Sequence, residues 1–285
     1  YQTIPIRLLH FNKETSTPLI PNKPAIIRIF TKQTGKPGTC TAILTLRKKK
    51  QIIYQKYFTK IISGISSKSE PDSTFQFYIP KENMIQGVEY DVQLAEKLTK
   101  KHKRSINLEN TTVFQSLPLS KLDHCLNLVI IPIQYVYNNK TYVATISESM
   151  KRDITRHVLE LAPFNEVKFT VKPNMIWTKV ITKNKGWETL IQHIVKQRTK
   201  DVKHNANEFF YAFIKPCESL KTYGAGILGI TYLEWNNYDS SVRLLNRGSV
   251  SLSFPEVMGD TFVHELFHGY GISHAPCGGA AEPDH

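Results

Sequence analysis

The sequence predicts a multidomain protein of two unlike folding units, an all-β sandwich followed by a unit in which strands and helices alternate. Three observations carry this expectation. The chain has 285 residues, and at roughly 100 to 200 residues per domain that length suits two cores. Near residue 122 the apolar spacing changes from the two-residue period of strands to a mixture of apolar strand runs and helical stripes, which places the units at 1–122 and 123–285. The charge changes at the same point, because residues 1–120 hold 19 Lys and Arg against 8 Asp and Glu, whereas 121–285 hold 18 against 16.

In the first unit the strand at 25–30 follows a Pro-Asn-Lys-Pro stretch, and a turn signal at 34–38 precedes the alternating run 40–46. Residues 51–58, 74–79 and 90–94 are each rich in β-branched or aromatic side chains and are bounded by Gly, Pro, Ser or Asp. Such residues suit a pleated, half-buried surface. Short strands at this spacing, with almost no helical periodicity, predict an antiparallel immunoglobulin-like sandwich. Residues 105–120 are polar and aperiodic and read as a linker.

In the second unit the run 126–133 is almost continuously apolar, as expected of a strand covered on both faces. Residues 147–161 place Met150, Ile154, Val158 and Leu161 at helical spacing. A strand at 166–171, a helix at 187–203 and a strand at 208–214 follow, then strand-like runs at 226–233 and 248–254. A last helix is expected from Asp260 as N-cap, with Phe262, Val263, Leu266, Phe267 and Tyr270 as its apolar surface.

A composition of 41% hydrophobic and 21% charged residues excludes a disordered or low-complexity chain. No run reaches the ~18 apolar residues of a membrane-spanning helix. The basic residues of the first unit cluster at Arg47, Lys48, Lys49 and Lys50 and at Lys97, Lys100, Lys101, Lys103 and Arg104. Neither cluster is interleaved with aromatic residues, so nucleic acid is not expected. An anionic glycan or cell surface is the partner such a patch would take; lysines dispersed on a solvated sheet need none. Cys40, Cys125, Cys217 and Cys277 are widely spaced and contain no CxxC pair, which leaves free thiols or long-range disulfides.

Chemistry concentrates in His264-Glu265-Leu266-Phe267-His268-Gly269-Tyr270-Gly271-Ile272-Ser273-His274. Histidines four residues apart on a helix project from one face, one turn apart, where a single Zn²⁺ takes both. Glu265 can reach water at such a metal without being a ligand, as a general base requires. Gly271 can take the positive φ that ends a helix abruptly and returns His274 toward the other two. Three neutral imidazoles leave a fourth position open, the arrangement of a catalytic site. Glu282, Asp284 and His285 are alternative ligands if His274 turns away, and Cys277 is a candidate fourth ligand or disulfide partner of Cys217. His157, His193 and His204 read as packing or surface residues.

The full pattern HExxHxxGxxH resembles the zinc signature of the metzincin metallopeptidases, and the flanking Ala275 to Ala280 stretch is similar to secreted bacterial metzincins of the StcE and dictomallein group. The resemblance implies a secreted zinc metalloendopeptidase, with His264, His268 and His274 as metal ligands and Glu265 as general base and proton shuttle. It also implies an extended protein or glycoprotein substrate laid against an edge strand, supplied by 226–233 or 248–254. One departure stands out: Met84, Met150, Met175 and Met258 all precede His274, so the methionine turn expected after the third histidine is absent and the metzincin domain reads as truncated. The competing expectation is a non-catalytic glycan- or surface-binding protein with a vestigial zinc site.

Overall fold

A computed structural model describes residues 2–5, 18–32, 36–96, 114–201, 208–232, 247–272 and 274. The chain divides into two compact units, Tyr1–Asp123 and His124–His285.

The first unit contains β1 (Gln2–Pro5), β2 (Ala25–Ile29), β3 (Gly38–Lys48), β4 (Gln51–Ile62), β5 (Phe75–Ile79), β6 (Val88–Glu96) and β7 (Gln115–Ser116). They form a three-stranded sheet, β1-β2-β5, and a four-stranded antiparallel sheet, β4-β3-β6-β7. Alternate residues of four strands meet in one core: Ala25, Ile27 and Ile29 from β2, Phe75, Phe77 and Ile79 from β5, Ala42, Leu44 and Leu46 from β3, and Val88 and Tyr90 from β6. The two-residue period read from the sequence is therefore the inside-outside alternation of a sandwich. The linker expectation is corrected where the chain is described. β7 pairs with β6, and Leu117 and Leu119 are buried in the same core. Polar composition hid this segment because only two apolar side chains anchor it.

Two clusters singled out for charge fare differently. Arg47 is committed locally, with its Nε 2.7 Å from Glu89 and its guanidinium 3.5 Å from the Phe114 ring centroid. Lys49 and Lys50 form the two-residue turn between β3 and β4 at φ +50° and +67°. That turn type favours Asn and Gly, and a similar turn at Asn138 and Asn139 in the second unit uses Asn twice. Lys97, Lys100, Lys101, Lys103 and Arg104 lie outside the described residues.

The second unit contains β8 (Cys125–Tyr137), β9 (Lys140–Val143), α1 (Glu148–Leu161), β10 (Glu166–Val171), β11 (Met175–Trp177), α2 (Trp187–Asp201), β12 (Glu208–Ile214), α3 (Leu220–Tyr223), β13 (Gly229–Thr231), β14 (Gly248–Leu252) and α4 (Pro255–Gly269). The sheet runs β10-β8-β12-β14-β13, with β9 and β11 also paired to β8. β10, β8, β12 and β14 are mutually parallel, and β13 runs antiparallel to β14 at the sheet's end.

Helices cover both faces. On one, Leu126, Leu128 and Ile130 of β8 and Phe209, Tyr211 and Phe213 of β12 pack against Met150, Ile154 and Val158 of α1 and Met258, Phe262 and Leu266 of α4. On the other, Val129, Ile131, Ile133, Phe210, Ala212 and Ile214 pack against Trp187, Leu190, Ile191 and Ile194 of α2. Burial on both sides is why β8 and β12 are continuously apolar rather than alternating. The chain is thus an α+β protein of a β-sandwich unit and a mixed-sheet unit.

α4 starts earlier than Asp260, the expected cap. Pro255 occupies its first turn behind Phe254 as N-cap, which suits a residue with fixed φ and no N–H to leave unpaired. Asp260 sits inside the helix, with Oδ1 3.3 Å from His157 Nε2 on α1. The two helices cross closely at Gly259, where a Cβ would lie 2.6 Å from His157 Cε1. Gly259→Ala is therefore expected to destabilise the protein, although alanine raises intrinsic helix propensity by about 1 kcal/mol. Urea denaturation should show a lower midpoint for the variant; a higher one would mean that α1 yields without cost.

Candidate metal centre

α4 and the turn after it assemble the three histidines. Its apolar side, Phe262, Val263 and Leu266, is buried on the sheet. That contact fixes the helix's rotation and so the direction of His264 and His268. The helix ends in a Schellman turn: the Gly271 N–H donates to the His268 carbonyl at 2.8 Å, and the Ile272 N–H donates to the Phe267 carbonyl at 3.0 Å. Gly271 has φ +84°, the left-handed conformation that only glycine adopts at little cost. This reversal carries His274 back beside the helix.

The Nε2 atoms converge. His264 and His268 are 2.9 Å apart, His268 and His274 3.1 Å, and His264 and His274 3.2 Å. Four ligands around Zn²⁺ at 2.0 to 2.1 Å would stand about 3.3 Å from one another. The spacing is close to that.

One hydrogen bond decides a tautomer. His268 Nδ1 lies 2.7 Å from the Ile272 carbonyl oxygen, which can only accept, so Nδ1 carries the proton. Nε2 of neutral His268 is then a bare lone pair aimed at the other two rings. Burial, followed by repulsion from His268 and His274, lowers the pKa of His264 and favours its neutral form too. Converging imidazole nitrogens, one with its tautomer fixed by a backbone carbonyl, form a donor set that fits zinc. The residues that end the helix and the residues that orient the ligands are thus the same. Gly271→Ala, which touches none of the three nitrogens, is expected to weaken zinc affinity roughly 10- to 100-fold by displacing the Ile272 carbonyl and His274. Competition with a chromophoric chelator measures it, and unchanged affinity would show the turn to be dispensable.

Glu265 is buried and faces the sheet edge. Thr231 Oγ1 lies 2.6 Å from its Oε2, and the Ser249 hydroxyl is 2.8 Å from that of Thr231. Burial drives the Glu265 carboxyl up to about 7, against which the Thr231 hydrogen bond pulls down. Gly229 faces the same carboxylate so closely that a Cβ there would lie 2.8 Å from Glu265 Cγ and Oε1. None of Thr231, Ser249 or Gly229 was singled out from the sequence; the alternation Gly248-Ser249-Val250-Ser251-Leu252 was the available signal. Val250 and Leu252 face α2, whereas Ser249, of opposite parity, meets β13 and α4.

The remaining candidates separate. His157 is half-buried and held by the Asp153 carbonyl, and His193 is an exposed helix residue beside Trp177. Cys40 is part of the sandwich core, and no disulfide joins Cys40, Cys125 and Cys217 to one another. His204, Cys277, Glu282, Asp284 and His285 lie outside the described residues. No protein-family model matches the chain, and no curated protein sequence matches it either.

Proposed function

We propose that this chain is a secreted zinc-dependent metalloendopeptidase of metzincin type, preceded by an immunoglobulin-like domain. The observation that carries the reading is the convergence of three Nε2 atoms within 3.2 Å around His268, whose tautomer leaves its lone pair at the centre. His264, His268 and His274 would hold the ion, which supplies a Lewis acid for water and for the scissile carbonyl.

The chain's own residues supply the rest. Glu265 takes a proton from the attacking water and returns it to the leaving amine. The buried position that raises its pKa keeps that proton affinity near neutral, where both transfers are feasible. β14 is paired on both sides, whereas β13 has β14 alone as partner among the described residues. An extended substrate would therefore add to β13 rather than to β14.

The test is hydrolysis of unfolded protein and of an O-glycosylated protein, with a chelator and with zinc restored. Chelation is expected to remove turnover and one equivalent of zinc to return it. Turnover indifferent to the chelator would sink the reading.

A second reading, attachment to anionic glycans or cell surfaces through the first unit, rests on Lys49 and Lys50. They occupy left-handed turn positions that cost a long side chain roughly 1 kcal/mol or more each, and charge is what they offer there. Retention on an immobilised sulfated glycan that survives Lys49→Asn with Lys50→Gly would exclude this turn as its source.

A further inference from the structure

We infer that Thr231 is a positioning residue for Glu265, with Ser249 behind it, so that the strand expected to receive substrate also sets the general base. The inference rests on the peptidase reading and adds the residues that orient its base.

An ionised carboxylate can only accept, so the single Thr231 hydroxyl proton goes to Glu265 Oε2, the closest of its three candidate acceptors at 2.6 Å, against 2.8 Å for Ser249 Oγ and 2.9 Å for the Glu265 carbonyl. Thr231 Oγ1 then accepts from Ser249 across the 2.8 Å contact, and Ser249 is itself fully buried. The hydroxyls form a directed chain, Ser249 to Thr231 to Oε2. A charge-assisted hydrogen bond of this length holds the carboxylate in one rotamer.

The consequence falls on the other oxygen. Gly229 and Thr231 are two apart on β13 and so face the same side. Thr231 occupies Oε2, while Gly229 places bare backbone opposite Oε1 and Cγ. One oxygen is tied to the strand and the other is left for proton transfer. A Cβ at Gly229 would close the space beside Oε1. The seam lies where β14 turns its serines, not its Val and Leu, toward α4, in a face otherwise packed with Phe, Leu and Met. Buried polar groups in such a place are costly unless each has a partner, and these three supply one another.

The full chain is used throughout. With zinc bound, Thr231→Val is expected to lower kcat about 10- to 100-fold with KM and zinc stoichiometry unchanged, and Thr231→Ser to restore kcat to within a few-fold. A double-mutant cycle of Thr231→Val and Glu265→Gln, read by denaturation of the zinc-free protein at about pH 8 or above, where the carboxylate is ionised, is expected to show a coupling of about tenfold in the unfolding constant, because a hydrogen bond to a charged acceptor exceeds one to an amide. Additive effects in that cycle overturn the inference whatever the turnover. Coupling with kcat unchanged by Thr231→Val, or with Thr231→Ser as impaired as Val, also overturns it and leaves a structural contact. Coupling in a parent protein that hydrolyses nothing means that the peptidase reading has failed and takes the positioning role with it.

Discussion

Glu265→Gln is expected to abolish measurable peptide hydrolysis while leaving one zinc per chain. General acid–base catalysis contributes roughly 10²- to 10⁴-fold, and glutamine can neither take nor return a proton. It still fills the site and accepts the Thr231 hydrogen bond, so His264, His268 and His274 keep their geometry. Turnover of the variant within about threefold of the parent would remove Glu265 from its role.

The same substitution should stabilise the zinc-free protein, and only above mildly acidic pH. Burial raises the folded-state pKa of Glu265 from 4.5 to about 7. Below about 4.5 the carboxyl is protonated folded and unfolded, and it contributes no pH dependence. Between 4.5 and 7 the folded state binds the proton that the unfolded chain releases, so stability falls as pH rises. Above 7 the full penalty, on the order of 3 kcal/mol, is present. Urea midpoints of parent and Glu265→Gln should therefore diverge from pH 5 to pH 8, with the variant higher at pH 8. Parallel curves would place the carboxylate in contact with water. A group that destabilises the fold when ionised, and that glutamine would relieve, is what a functional carboxylate in an apolar face looks like.

His268→Ala is expected to have the largest effect on metal. It removes the one nitrogen whose lone pair is assigned by a hydrogen bond and leaves the Ile272 carbonyl without its donor. Displacing an orienting partner costs roughly 10- to 100-fold in affinity, and deleting the ligand itself must cost more. Zinc retained through dialysis should fall from one per chain to below a tenth. Full retention would mean that the ion binds elsewhere.

Much of this protein is legible residue by residue, and the reason is locality. α1, α2, β10 and β12 follow from apolar spacing within single segments, and the two helices begin within a residue of where that spacing starts. β1, β7, β9, β11 and α3 carry no such pattern; each has two to four residues and exists because a neighbouring strand or core accepts it. Asp260 resembled a cap because it precedes an apolar run, yet a helix can begin wherever its first N–H groups need no partner, and Pro255 meets that condition.

The candidate site divides in the same way. His264, His268, Gly271 and His274 fall within eleven residues of one helix and its turn, so helix pitch and one left-handed glycine determine that their imidazoles can meet. The environment of Glu265 is another matter. Thr231 and Ser249 lie 34 and 16 residues away in sequence, on strands whose order places β13 beside β14 and under α4. No periodicity within a segment encodes which strand becomes the edge or which of its side chains meets a carboxylate. The sequence by itself determined the two classes of unit, the apolar runs that become the buried strands, and the three imidazoles carried by one helix and the turn after it. Only the tertiary structure decided that β13 ends the sheet among the described residues, that Gly229 and Thr231 confront the two oxygens of Glu265, and that Ile272 holds the proton of His268. Strand order and side-chain contact depend on packing between segments distant along the chain, where spacing carries no signal.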